Sequence, residues 1–217
     1  MSKFSVLDEA LYGYLRAHRT QDDEVLRDLQ EETARLGPKA AMQIAPDQGT
    51  LLRLLVMAIG ARRAIEVGTF TGMSALCIAR GLPADGRLLC CDISEEWTSI
   101  ARRHWARAGV ADLIELRLGP AAETLRSLPR DPAYDFAFID ADKSGYLTYY
   151  EEILARLRVG GLVAVDNVLW SGDVIREEKQ DADTEAIRAF NAFVARDARV
   201  DSVMLPVADG LTLALKR

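Results

Sequence analysis

Between residues 63 and 167 the chain alternates short apolar runs with helix-patterned segments, and no other feature restricts its fold as much. The runs are RAIEVG, RLLCCDIS, LIELRLG, YDFAFID and GGLVAVDN; between them lie GMSALCIARGL, EEWTSIARRHWARAG, AAETLRSL and YLTYYEEILARLR. Five short strands separated by helices read as βαβ units, which build a parallel sheet covered on both faces. The tail VDSVMLPVADGLTLALKR adds two strands around an ADG turn. Three helices are expected before the first strand, over 5–18, 22–36 and 47–59; in the third, Leu51, Leu54, Leu55 and Ala58 recur at helical spacing. The polar stretch 171–185 reads as a surface loop leading into a helix over 186–197. The expected fold is α/β: a doubly wound, mostly parallel seven-stranded sheet with a C-terminal antiparallel strand and extra N-terminal helices. A length of 217 residues suits one domain over 1–217, with 1–46 as helices that shape a ligand pocket or a dimer interface.

Composition narrows the partners. A net charge of −6 argues against nucleic acid, whose phosphates are bound by clustered Lys and Arg. Arg102, Arg103 and Arg107 do cluster, but at helical spacing on an amphipathic segment, which reads as a solvated face. The first twenty residues lack the apolar run of a signal peptide, and no stretch approaches the ~18 apolar residues of a membrane span, so a cytoplasmic protein is expected. Cys77, Cys90 and Cys91 read as reduced core thiols, the adjacent pair pointing to opposite faces of a strand. His18 and His104 lie on helices away from the strand ends, which removes Ser/His/Asp chemistry.

An open doubly wound sheet places its chemistry in the crevice at the carboxyl ends of its strands. The first strand ends EVGTFTGMS, where Gly68 and Gly72 permit a tight turn and close approach of a ligand to backbone amides at a helix N-terminus. The spacing G-x-x-x-G is not the G-x-G-x-x-G that cradles a pyrophosphate; a plain strand-to-helix connector would look the same. The second strand ends at Asp92, 24 residues beyond Gly68, placed to accept from two ribose hydroxyls or to cap the next helix. Together the two features describe a nucleoside without a pyrophosphate, such as S-adenosylmethionine. The fourth strand ends in FIDADKSGY with Asp140, Asp142 and Lys143, and the fifth in VAVDNVLW with Asp166 and Asn167. Each acid alone could be a solvated strand end. If the two strands are neighbours, two carboxylates and an amide oxygen face one another and suit a hard divalent cation such as Mg²⁺.

These residues, with MQIAPDQG, CDIS and GPAAETL, resemble the class I, S-adenosylmethionine-dependent, metal-dependent O-methyltransferases of the catechol and caffeoyl-CoA type, and their bacterial members above all. The resemblance runs from about residue 36 onward and implies a Rossmann-like methyltransferase fold. It implies that Glu66, Gly68, Thr69 and Ser74 surround the cofactor's methionine end, that Asp92 binds the ribose and Ala121 contacts the adenine, and that Ile44 and Asp140 also bind the cofactor. Asp142 would lie near the cofactor's amino group. Asp140, Asp166 and Asn167 would hold Mg²⁺, with Mn²⁺ or Ca²⁺ as alternatives; Asp140 and Lys143 would be catalytic, with Lys143 as general base; Trp170 would wall the acceptor pocket. A homodimer and a phenolic small-molecule substrate are implied as well. Two positions depart from the pattern: Ile44 stands where plant relatives carry threonine, and Gln48 where many relatives carry an acid.

The expected chemistry is methyl transfer to one hydroxyl of a vicinal dihydroxyphenyl compound. A phenol with a pKa of about 10 is mostly protonated at neutral pH, so a divalent cation that stabilises the oxyanion and a lysine that takes the proton each address a real barrier. A nucleotide-dependent oxidoreductase and a non-catalytic cofactor-binding protein are the competing readings on the same fold.

Overall fold

The computed structural model describes residues 5–217. Helix α1 (Glu9–Ala17) starts later than residue 5 because the Asp8 carboxylate caps it, accepting from the Leu11 amide. Helix α2 (Glu24–Ala34) is capped in the same way by Asp23, and a 3₁₀ turn over Gly37–Met42 leads to α3 (Pro46–Ala58), with proline at its start. The alternation then runs β1 (Arg63–Val67), α4 (Met73–Gly81), β2 (Arg87–Asp92), α5 (Glu95–Arg107), β3 (Ile114–Leu118), α6 (Ala121–Ser127), β4 (Tyr134–Ile139), α7 (Tyr146–Leu154) and β5 (Leu157–Val165). Helix α8 (Ala182–Val194) and strands β6 (Val200–Leu205) and β7 (Leu211–Lys216) complete the chain.

The seven strands form one sheet in the order β3-β2-β1-β4-β5-β7-β6. The first five are mutually parallel; β7 runs antiparallel to β5, and β6 antiparallel to β7. The sheet is thus the mostly parallel α/β sheet expected, of the Rossmann-like methyltransferase kind, with two antiparallel strands at its C-terminal edge. Strand order reverses at β1, between β2 and β4, so a crevice opens where the helices following those strands leave on opposite faces.

Alternation along each strand feeds two cores. Phe136 and Phe138 of β4 and Leu88 and Cys90 of β2 pack with α3, α4 and α5, whereas Ala137, Ile139, Leu89 and Cys91 pack with α6, α7 and α8. The three cysteines are free and buried, and burial pushes the Cys77 and Cys91 thiols up to about 12. The arginines of α5 pair with Glu95, Glu32 and Asp28, a solvated face that also ties α5 to α2. Among the described residues no helix is long and apolar enough to cross a membrane.

Three local expectations change. Helix α8 begins at Ala182 rather than 186, because Asp181 accepts from the Thr184 amide at 3.0 Å inside what reads as a polar loop. Strand β5 begins at Leu157, within the segment expected as helix: α7 stops at Leu154, and the fully buried Arg156 anchors the bend through the Leu128 carbonyl and Glu152. The stretch expected as plain loop holds a 3₁₀ turn over Trp170–Ile175 with Trp170, Ser171 and Gly172 all at positive φ.

Register sets the site. Val67 of β1 lies opposite Ile139 of β4, which lies opposite Val165 of β5, so the three strands end level. The next residue of each continues the ladder for one bond: Asp140 N–H donates to the Val67 carbonyl at 2.9 Å, and Asp166 N–H to the Ile139 carbonyl at 3.0 Å. Gly68, Asp140 and Asp166 therefore stand side by side at the lip of the crevice.

Candidate active site

The crevice opens into a cavity of about 790 Å³, large enough for a nucleoside and a small acceptor together. Gly68 shapes its floor. Its φ is +85°, and a Cβ there would lie 1.8 Å from the Asp140 carbonyl oxygen, so only glycine lets the ends of β1 and β4 come this close. From Gly68 the chain turns through Thr69 and Phe70 into α4, and Asp92 holds that turn. One Asp92 oxygen accepts from the Thr69 and Phe70 amides, each at 2.8 Å, and the other from Ser94 N–H at 2.8 Å. A carboxylate offers about four acceptor sites, so one remains for a ligand hydroxyl rather than the two expected.

Gly68, Thr69, Ser74, Asp92, Ile44 and Ala121 all line the cavity. Glu66 does not. It sits in register with Cys90 and Phe138 one residue before the strand end, fully buried beneath the Thr69–Ser74 turn. Burial pushes its carboxyl up to about 7, partly offset by Ser74, Thr69 and Cys90, and one of its oxygens has no partner. At the opposite wall Phe70 and Trp97 meet edge to face with centroids 5.1 Å apart, and the Lys39 ammonium lies 5.2 Å from the Trp97 ring.

The residues after β4 and β5 form a second cluster. Lys143, only 7% exposed, donates from Nζ to Asn167 Oδ1 at 2.7 Å, to the Tyr146 hydroxyl at 2.7 Å and to Asp140 Oδ1 at 3.4 Å. Those three bonds use all three ammonium protons. The Tyr146 hydroxyl donates in turn to the Asp166 backbone carbonyl at 3.0 Å, and the Trp170 ring centroid lies 5.4 Å from Nζ. Asn167 holds φ at +56°, a conformation that asparagine tolerates better than most residues, and its N–H donates to Asp166 Oδ1 at 2.8 Å. Asp142 faces the cavity next to Ala141, with Oδ1 taking the Tyr149 hydroxyl at 2.5 Å and Oδ2 the Ser144 hydroxyl at 3.0 Å.

Charge in this cluster is poorly balanced. Burial pushes the Asp140 carboxyl up against the pull of Lys143; burial and the neighbouring Asp140 charge push Asp166 up. Two carboxylates share one ammonium, which reaches both Asp140 and Asn167. Hard oxygens that already converge on one cation fit a divalent ion such as Mg²⁺. Among the described residues no three of His, Cys, Asp and Glu come together, so the third oxygen of the set is the neutral Asn167 amide.

The O-methyltransferase family model matches residues 16–217. A "Probable caffeoyl-CoA O-methyltransferase 1" of Dictyostelium discoideum is 38% identical over 213 residues, spanning 96% of this chain and 93% of the relative. The chain belongs to the O-methyltransferase family. Among solved structures, a putative O-methyltransferase from Klebsiella pneumoniae is 36% identical with a TM-score of 0.88, covering 96% of each chain. The O-methyltransferase from Bacillus cereus, solved in complex with SAH, is 33% identical with a TM-score of 0.87, covering 96% of this chain and 97% of that one.

Against this family background, the structure brings together Asp140, Asp142, Lys143, Asp166, Asn167 and Trp170 at one end of the cavity. Sequence reasoning missed Tyr146 and Tyr149, although their spacing three residues after Lys143 and seven after Asp142 puts them on the same helical face. It also missed Trp97, Phe70 and Asp209. Asp209 lies in the ADG turn, where it accepts from Ser171 N–H at 2.6 Å and holds the Trp170 loop in place.

Proposed function

We propose that this O-methyltransferase moves the methyl group of S-adenosylmethionine to one hydroxyl of a vicinal dihydroxyphenyl small molecule. The observation that carries this reading is the buried Asp140–Lys143–Asn167 contact beside Asp166, at the lip of a cavity that extends to Asp92. The relative named for caffeoyl-CoA and the neighbour solved with SAH, the demethylated form of S-adenosylmethionine, agree with it.

The chain's own residues have distinct tasks. Asp92, held by three backbone amides, offers its remaining acceptor site to a ribose hydroxyl; Asp142 faces the donor's amino group. Thr69, Ser74 and Ala121 close the walls around the donor, and Trp170 gives the acceptor ring a flat apolar surface. Lys143 lies where a reacting hydroxyl would point: as the free amine, with one of its three protons given up, it takes the hydroxyl proton on Nζ, while Tyr146 and Asn167 hold the side chain in place. Asp140, Asp166 and Asn167 would hold a divalent cation, which when bound supplies positive charge that favours the deprotonated hydroxyl. Orientation of the two reactants in one cavity contributes independently, by removing the entropy of their encounter.

Incubation with S-adenosylmethionine and a panel of catechol, caffeate, a flavonoid and an acyl-CoA ester, with and without a chelator, tests the reading. A monomethyl ether that disappears in chelator and returns with Mg²⁺ is expected. Full turnover in chelator would remove the metal from the account, and no ether from any vicinal diphenol would overturn the acceptor class.

A further inference from the structure

Gln48, in the first turn of α3, is fully buried, yet neither its Nε2 nor its Oε1 has a hydrogen-bond partner. Buried side-chain amides are almost always paired, so two orphaned atoms on one side chain call for an explanation. The side chain lines the cavity. Its neighbour Gly49 lies so close to α4 that a Cβ would come 2.9 Å from Cys77 Sγ, which holds this turn of α3 firmly in place.

The surroundings narrow what could meet the amide. It stands beside the Asp166 carboxylate, whose ionised form it favours, while Asp166 Oδ1 is already taken by Asn167 N–H. Across the cluster, the Lys143 protons are all engaged. With one Gln48 N–H turned to Asp166, the hydrogen-bonding capacity left on that side is one N–H donor and one carbonyl acceptor. A carboxylate in that position would meet Asp166 as a like charge, and an ammonium would leave the remaining N–H unmet. A hydroxyl both accepts and donates and carries no charge, so it satisfies the amide.

The geometry points to Gln48 as a specificity-determining residue that holds the second, non-reacting hydroxyl of the acceptor, Nε2 donating to its oxygen and Oε1 accepting its proton. This inference rests on the proposed acceptor class and adds the choice of hydroxyl to it. With one hydroxyl fixed on Gln48, the neighbouring one is presented toward Lys143, and an unsymmetrical diphenol is methylated mainly at one position. An acid at this position would accept but not donate, and would add a third negative charge to the cluster.

The test uses Gln48→Leu and, in case branching disturbs the turn, the unbranched Gln48→Met, assayed with caffeate and with a monohydroxy analogue. Loss of the two hydrogen bonds corresponds to roughly a five- to hundredfold rise in KM for the diphenol. The ratio of the two monomethyl ethers should fall toward one, with KM for S-adenosylmethionine and for the monohydroxy compound unchanged. An unchanged ether ratio in either folded variant overturns the inference. So does an equal rise in KM for both acceptors and for S-adenosylmethionine, which is the mark of a purely structural residue. If the wild type forms an ether from the diphenol and only the Gln48 outcome fails, the proposed acceptor class still stands; if the wild type forms none, both fall.

Discussion

Replacing Gly68 with alanine puts a single methyl group where the structure leaves no room for one. At φ +85° the added Cβ would lie 1.8 Å from the Asp140 carbonyl oxygen and 2.7 Å from its carbon, against the 3.0 Å below which real Cβ atoms are essentially never found. The shortfall is 1.2 Å (3.0 − 1.8), and the atoms it meets are backbone. They cannot rotate aside, because Asp140 N–H is bonded to the Val67 carbonyl in the adjacent strand. A left-handed alanine costs about 1–2 kcal/mol, and overpacking adds roughly 1–3 kcal/mol, for a total of about 2–5 kcal/mol. In a chain of this size that corresponds to a drop in Tm of roughly 4–20 °C. Gly60→Ala is the control: its φ is also positive, at +61°, but no heavy atom lies within 4 Å of the added Cβ, so only the conformational part applies. Thermal unfolding of both variants by circular dichroism, with SAH affinity measured on the folded fraction, separates the two effects. Gly68→Ala should lose clearly more stability than Gly60→Ala and bind SAH more weakly, because Asp140 is pushed out of line. Equal losses with normal SAH affinity would refute the claim that this close approach shapes the site.

Two further substitutions examine the charged groups. Lys143→Met should lower kcat by about 10²–10⁴ while leaving SAH affinity within about twofold, as steady-state kinetics and calorimetry would show; a near-normal kcat would remove Lys143 from proton transfer. Glu66 has its folded-state pKa raised from 4.5 to about 7, so the folded chain binds this proton more tightly than the unfolded one. The associated stability is fully present below the unfolded value and is lost as pH rises through about 7. Urea unfolding of wild type and Glu66→Gln across that window should show the wild type alone losing stability from this group, and parallel curves would contradict the assignment.

Much of the site can be read locally. An apolar run that ends in an acid marks a strand leaving the core, and Asp140, Asp166 and Asp92 each follow such a run, so the alternation alone puts them at one edge of the sheet. That β4 and β5 are neighbours follows from how βαβ units connect. Other features depend on contacts between distant segments. Two of the three amides that occupy Asp92 come from the Thr69–Phe70 turn after the neighbouring strand, and nothing in CDIS announces them; the third is Ser94 of CDIS itself. The place of Glu66 beneath the cavity wall follows from the β1 register with β2 and β4. The positive-φ run from Trp170 to Gly172 is held by Asp209, which lies 38 residues from Ser171. Gln48 stood out in the sequence only as a departure from a pattern; its burial without partners becomes visible when α3 is packed against α4 and the strand ends.

The central claim is that donor and acceptor meet between the Gly68–Ser74 turn and the Asp140–Lys143–Asp166–Asn167 cluster. A crystal structure of the chain soaked with SAH, Mg²⁺ and a vicinal diphenol tests it most directly. The account predicts the ribose on Asp92, one phenolic oxygen facing Lys143 Nζ and the other on the Asp166 side of the cluster. A nucleoside outside this cavity, or a diphenol bound away from Lys143 and Asp166, would contradict it.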